Sequence, residues 1–149
     1  YLVMATILCD AQSKALSDQH FVFFNQLSSP DLSVTELETA LGDDNDQVEI
    51  DLSAVPADVV RIAVVLYVNE GSSQRRTLGQ LKSCEVRLLN LADNVELVRS
   101  EDLVFGLTTE TALSLAEVYR YNNDWKFKVI GAGYAQGIAG IAADYGLTL

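Results

Sequence analysis

The sequence is poor in histidine, cysteine, proline and basic residues, and each scarcity removes a class of protein. A single histidine, His20, excludes multi-histidine zinc centres and histidine dyads. The two cysteines, Cys9 and Cys84, lie far apart on apolar stretches. Two thiols cannot form a disulfide framework; burial as small hydrophobes is the first reading and one disulfide the second. Two prolines and a hydrophobic content of 49% exclude a disordered chain. No apolar run approaches the roughly 20 residues of a membrane helix. The apolar opening is too short to span and no basic segment precedes it, so neither a signal peptide nor direct membrane insertion is expected. Ten basic residues against 21 acidic ones give a net charge of −11. That balance argues against nucleic acid and anionic membranes, and favours cations and basic partners.

What is present is strand pattern. A chain of 149 residues suits one domain with a core that needs no staples. Leu2–Cys9 and Arg61–Val68 are near-continuous apolar runs, read as buried strands. Residues 20–25 read as a further strand buried on both faces, and 34–41 as loop. Residues 47–52 alternate, with Val48, Ile50 and Leu52 inward and Glu49 and Asp51 outward. Pro56 forbids a central strand in the turn around it. Residues 78–81 read as a helical turn or a strand lead-in. Residues 85–90 and Val95–Arg99 are strands joined at Ala92-Asp93-Asn94, and 100–106 is an irregular edge. Tyr121-Asn122-Asn123-Asp124 is a strong turn signal, making 114–121 and 125–130 a hairpin. Trp125, Phe127 and Val129 should share a buried face with Lys126 and Lys128 outside, and Gly131 and Gly133 should break the strand. Gly137–Tyr145 reads as a short helix stopped by Gly146. The fold class is mainly β: an antiparallel β-sandwich with a short C-terminal helix.

Chemistry concentrates at Asp43, Asp44, Asn45 and Asp46, three carboxylates and an amide directly ahead of an alternating strand. Crowded carboxylates repel, and a fold that holds them together usually supplies a cation. Their hard oxygens suit Ca²⁺. The run is not an EF-hand, since it lacks the sixth-position glycine and the twelfth-position glutamate. A solvated acidic turn is the alternative. Asp10 at a strand exit is either a further ligand or a turn former. Asn25, Asp31, Asn69 and Glu70 are weaker strand-end candidates. No nucleophile–base pair stands out for catalysis.

Four segments together resemble the tellurium-resistance TerD family of bacterial stress proteins. Glu117-Val118-Tyr119-Arg120, the polar turn and Trp125-Lys126-Phe127 are similar to its E-L-Y-R, turn, W-K-F. Val55-Pro56-Ala57-Asp58-Val59 is similar to V-P-x-D-V, and Gln74-Arg75-Arg76-Thr77-Leu78-Gly79-Gln80-Leu81 to R-x-T-F-G-Q-V. His20-Phe21-Val22-Phe23-Phe24-Asn25, then Ser29-Pro30-Asp31, is similar to D-F-V-F-Y-N, then S-P-D. All stand in family order from Leu2 to Gly146, and the expectation is a single TerD-like domain, 1–149, lacking the family's N-terminal portion ahead of the Leu2–Cys9 strand. The resemblance implies a cytoplasmic, bacterial, stress-associated sandwich that binds Ca²⁺ through loop carboxylates. It carries Asp44, Asn45 and Asp46 onto the family's G-D-D-E and Asp10 onto the second aspartate of D-L-D-A-S. The chain departs from the pattern at Leu8, Gln12 and Asn45, and has no counterpart of G-D-N-x-T-G between Val34 and Leu41. The expectation is a non-enzymatic Ca²⁺-binding module with Asp10, Asp43, Asp44, Asn45 and Asp46 as metal ligands. The alternative is an acidic scaffold that docks a basic or other stress-complex protein without a working metal site.

Overall fold

The computed structural model describes residues 2–40, 42–69 and 76–149. Among them are nine strands and one α-helix. The strands are β1 (Leu2–Cys9), β2 (Phe21–Val22), β3 (Val34–Glu36), β4 (Val48–Ile50), β5 (Arg61–Val68), β6 (Arg87–Asn90), β7 (Val95–Arg99), β8 (Ala112–Tyr121) and β9 (Asp124–Tyr134). The helix is α1 (Gly137–Tyr145). One five-stranded sheet runs β2-β1-β5-β8-β9, and β3-β4 and β6-β7 form separate two-stranded hairpins. Every pairing is antiparallel.

Both faces of the large sheet are covered, which is why β1 and β5 read as unbroken apolar runs. On one face Val3, Ala5, Ile7 and Cys9 of β1 and Ala63, Val65 and Tyr67 of β5 pack under Ile141 and Ala142 of α1. On the other face Met4, Val64, Leu66 and Leu115 meet Leu78, Cys84 and Leu107. Leu8, Ile62 and Val118 meet Val34, Val55 and Val59, with Val48 and Ile50 of β4 packed against them. The two cysteines are free and buried, one in each of two clusters on opposite faces.

A basic side chain fastens the proline turn to the sheet. Arg120 donates to the carbonyls of Val59 at 2.9 Å, Val55 at 3.1 Å and Pro56 at 3.0 Å, and its guanidinium lies 4.2 Å from the Trp125 ring centroid. The arrangement gives three carbonyls a charged donor while the ring covers its face.

The fold class stands, and several local expectations give way. Only Phe21 and Val22 of the 20–25 run are strand. His20 ends a 3₁₀ turn, and Phe23 turns the chain back through paired bonds with Gln26 at 3.0 and 2.9 Å. The aromatics there are used for packing, Phe21 edge-on to Phe23 with centroids 4.9 Å apart, rather than for a ladder. Within the expected loop 34–41, Val34–Glu36 is a strand, in register with β4 as Val34↔Ile50 and Glu36↔Val48. A glutamate at an inward position concealed its alternation. Leu52 turns outward, 40% exposed, because Asp51 caps a 3₁₀ turn through the Ser53 N–H. Residues 78–80 take the helical-turn option.

The hairpin β8-β9 keeps the expected sidedness: Trp125, Phe127 and Val129 are half-buried on one face, and Lys126 and Lys128 are exposed. Gly131 and Gly133 do not end β9. The ladder runs on through Ser114↔Ala132 to Ala112↔Tyr134 across a register shift, and Gly131 takes φ +72° there, as a bulge requires. Gly146 stops α1 at φ 69°, with its N–H bonded to the Ala142 carbonyl.

Backbone approach makes one glycine irreplaceable. A Cβ at Gly79 would run into the backbone carbonyl of Thr108, whereas one at Gly106 would meet open space. Gly79→Ala should destabilise the protein by about 2 kcal/mol or more, and Gly106→Ala should leave stability within about 1 kcal/mol of the parent. Urea unfolding of the two variants checks this. Equal midpoints would show that the 78–80 turn is not seated against residue 108.

Candidate functional site

The acidic loop grows out of a very short hairpin. β3 and β4 pair over three residues each, and the Leu37 N–H to Gln47 carbonyl bond at 2.9 Å closes the pairing. Residues beyond that bond leave the ladder, and Asp43, Asp44, Asn45 and Asp46 come to line a groove of about 2180 Å³ over the face of the large sheet opposite α1. Leu2 and Met4 of β1, Val48 and Ile50 of β4 and Arg87 of β6 line it too.

The four loop residues have different fates. Asp44 is engaged by Arg87, whose Nε donates to Oδ1 at 3.0 Å and whose Nη2 donates to Oδ2 at 2.7 Å. This two-point pair ties the loop to β6. Arg87 also reaches Glu96 at 3.3 Å, Glu96 pairs with Arg99 at 2.7 Å, and Arg99 pairs with Glu85 at 2.9 Å. Asp43, Asn45 and Asp46 are open to solvent at the groove. Partial shielding raises the Asp46 carboxyl above its ordinary value.

The residue that sequence reasoning missed is Glu36. Pairing with Val48 sets it two residues from Asp46 across the hairpin, and Val34 and Glu36 both turn inward. Glu36 is only 9% exposed, and its Oε1 has no hydrogen-bond partner. Burial, followed by the charge of Asp46, pushes its carboxyl up from 4.5 to about 7. A buried acid with an orphaned oxygen, sensing the charge of a second acid, favours a proton or a positive charge beside it. Glu36 does not itself line the groove that Asp43, Asp44, Asn45 and Asp46 share. Among the described residues no group of three or more His, Cys, Asp or Glu side chains is placed to hold a metal ion.

The remaining sequence candidates lie elsewhere. Asp10 follows Cys9 at the β1 end that pairs with Arg61, and it does not line the groove. Its Oδ1 accepts from the N–H groups of Gln12 at 2.9 Å and Lys14 at 3.0 Å, so it closes its own turn. Asp31 does the same for the segment after Pro30. Its Oδ1 accepts from Ser29 Oγ at 2.7 Å and the Ser33 N–H at 2.8 Å. Burial pulls the Asp31 carboxyl up, but the bonds from Ser33 and Ser29 outweigh it and hold the group below its ordinary value. Asp31 Oδ2 is buried and unpartnered. Glu70 lies outside the described residues. The only sequence signal for Glu36 was its spacing from Val34, which places both on one side of any strand they form.

Comparison with known proteins bears on this geometry. The sequence model of the TerD domain family matches residues 2–145. The chain is 39% identical over 147 residues to general stress protein 16U of Bacillus subtilis (strain 168), covering 96% of this chain and 76% of the relative. It is 38% identical, with the same coverage, to a tellurium resistance protein TerD of an Alcaligenes species. Among solved structures, a homologue of telluride resistance protein (TerD) from Streptomyces coelicolor A3(2) superposes with a TM-score of 0.73 at 17% identity, covering 95% of this chain and 83% of that one. That likeness bears on the fold.

The sign of the Glu36 shift sets a pH response. An acid whose folded pKa is raised stabilises the fold while it is protonated, and that contribution is lost as pH rises from the unfolded value of 4.5 through about 7. In metal-free buffer the loss should be on the order of 2 kcal/mol, and Glu36→Gln should flatten that part of the stability profile. Denaturant midpoints at pH 5 and pH 7.5 measure it. An equally steep profile in the variant would mean that another group carries the slope.

Proposed function

The chain belongs to the TerD domain family of tellurium-resistance and stress-response proteins, and we propose that it is a non-enzymatic module that binds Ca²⁺ at the acidic loop. The observation that carries this reading is the buried, unpartnered Glu36 oxygen, whose carboxyl senses the charge of Asp46. Asp46 and Glu36 supply charged oxygens, and Asp43, Asn45 and loop carbonyls supply the others. Asp44 becomes available only by leaving Arg87. When bound, the ion supplies charge neutralisation; it turns the repulsion between two acids into attraction and ties β3 to the end of the loop.

A catalytic role has less support. The thiols are ill suited to attack an oxidising oxyanion, because burial, then the charges of Glu117 and Asp10, push Cys9 up to about 12. No helix among the described residues is long and apolar enough to cross a membrane. A cytoplasmic setting is part of the proposal and agrees with two reduced, buried thiols. The second reading, an acidic scaffold for a basic partner, draws on the net charge of −11.

Calorimetric titration separates the readings. The parent should bind Ca²⁺ saturably and gain about 2.7 kcal/mol of stability at a hundredfold excess over Kd. Glu36→Gln and Asp46→Asn should each weaken binding at least tenfold. Asp10→Asn and Asp93→Asn, in turns away from the loop, should leave it unchanged. A parent that shows neither heat nor a stability gain would leave the scaffold reading in its place.

A further inference from the structure

We propose that the free edge of β4 takes an extended segment of a partner protein as an added strand, and that this segment alternates apolar with basic residues. The proposal rests on the scaffold reading above and adds to it the place, the backbone geometry and the sequence pattern of the partner.

The edge is fixed by the pairing of β3 with β4. The Leu37 N–H donates to the Gln47 carbonyl at 2.9 Å and the Asp51 N–H to the Ser33 carbonyl at 2.8 Å, and Glu49 stands opposite Thr35 between them. Alternate residues of an antiparallel strand bond to opposite edges, so the N–H and C=O groups of Val48 and Ile50 point away from β3. Among the described residues β3 and β4 form a sheet of two strands, and residues 47–51 line the groove. Apolar surface is left open in the same place. Among the described residues twelve large apolar side chains are exposed, and six of them, Leu2, Leu32, Leu52, Leu91, Leu97 and Val98, line this groove. Open apolar surface gathered in one place marks an interaction site, and a strand edge beside it is what strand addition uses.

Charge decides what kind of segment fits. Between Lys14 and Arg61 the sequence has no lysine or arginine and ten aspartates and glutamates, so this stretch carries −10 of the net −11. β4 lies inside it, and Asp43, Asp46, Glu49 and Asp51 line the groove with it. An acidic segment would be repelled here, and so would a second copy of so acidic a chain, whereas a basic segment is drawn in. Val48 and Ile50 pack against the apolar cluster beneath them. Residues that bond directly opposite them on an added strand share that inward face, so apolar residues belong there. Lysine or arginine at the alternate positions then stands on the side of Glu49 and Asp51.

The probe is the capped heptapeptide Lys-Val-Lys-Val-Lys-Val-Lys, titrated in buffer with chelator so that no metal ion competes for the loop. It should bind saturably and slow amide exchange at Val48 and Ile50 by about tenfold or more. N-methylation of its valines removes the donors that face β4 and should weaken binding by about tenfold or more, whereas N-methylation of its inner lysines, whose N–H groups face the other way, should cost less than about threefold. The peptide with glutamate in place of lysine should not bind. Glu49→Lys should weaken binding about fivefold or more, and Glu101→Lys, the same change of charge at an exposed site outside the groove, less than about twofold. Equal binding of the two N-methylated peptides, or unchanged exchange at Val48 and Ile50, would overturn strand addition and leave a basic partner held in another way. Equal weakening by the two lysine variants would overturn the groove as the site, since net charge alone would then account for the attraction. Failure of the lysine peptide to bind would overturn the proposal and the scaffold reading together.

Discussion

The structure depends on one ladder: β5 paired along its whole length between β1 and β8. Eight residues of β1 face eight of β5, from Leu2↔Val68 to Cys9↔Arg61, and β8 covers the opposite edge. A central strand with neighbours on both edges has its backbone satisfied, so what remains is to keep water from both faces. Helix α1 closes one face compactly. The other is closed by the β3-β4 hairpin, by the turn around Leu78 and by the segments that carry Cys84 and Leu107, a cover built of pieces. Pieces leave a groove, and the groove is where the acidic loop lies.

This division of labour sets different charge networks on the two sides of the sheet. On the α1 face the buried Glu117, level with Ala63, pairs with Arg61, whereas the hairpin face must reconcile apolar contacts with the polar backbone of two isolated two-stranded sheets. Arg87, Glu96, Arg99 and Glu85 form a chain of pairs along β6 and β7, and Asp44 is its last member. Each exposed pair adds little by itself. Together they hold a hairpin that has few buried side chains of its own.

Much of this was legible in the sequence. The limits of β1 and β5 follow from near-continuous apolar runs, the strand β7 from the turn at Ala92-Asp93-Asn94 and the end of α1 from a helix-stopping glycine, and the sidedness of β9 follows from Trp125, Phe127 and Val129 alternating with lysines. What escaped was set by tertiary context. Phe23 belongs to an apolar run yet turns the chain, because packing beside Phe21 competes with ladder formation. Gly131 looks like a terminator and is instead a bulge, since a positive φ can be absorbed within a long hairpin. The loop Asp43 to Asp46 was visible as a crowd of carboxylates, but its partners were not: nothing in the sequence joins Asp44 to Arg87, 43 residues away. Glu36 was invisible for the opposite reason, because a lone glutamate among polar neighbours reads as solvent-facing.

Glu36 also shows how a site can be written into a fold at small cost. A three-residue strand offers two inward positions, and here one is Val34, fully buried, and the other an acid. An apolar residue at 36 would strengthen the hairpin and leave the loop above it as a crowd of repelling charges. The acid weakens the hairpin whenever it is ionised and unpaired, and the weakness is localised where Asp46 leaves the ladder. A fold that accepts this penalty makes the pairing of β3 with β4 sensitive to the protonation of Glu36. The stable ladder through β5 lies on the other side of the core contacts and need not take part. Conditional order at the rim, with an unconditional sheet beneath, lets one short segment respond while the rest of the chain stays folded.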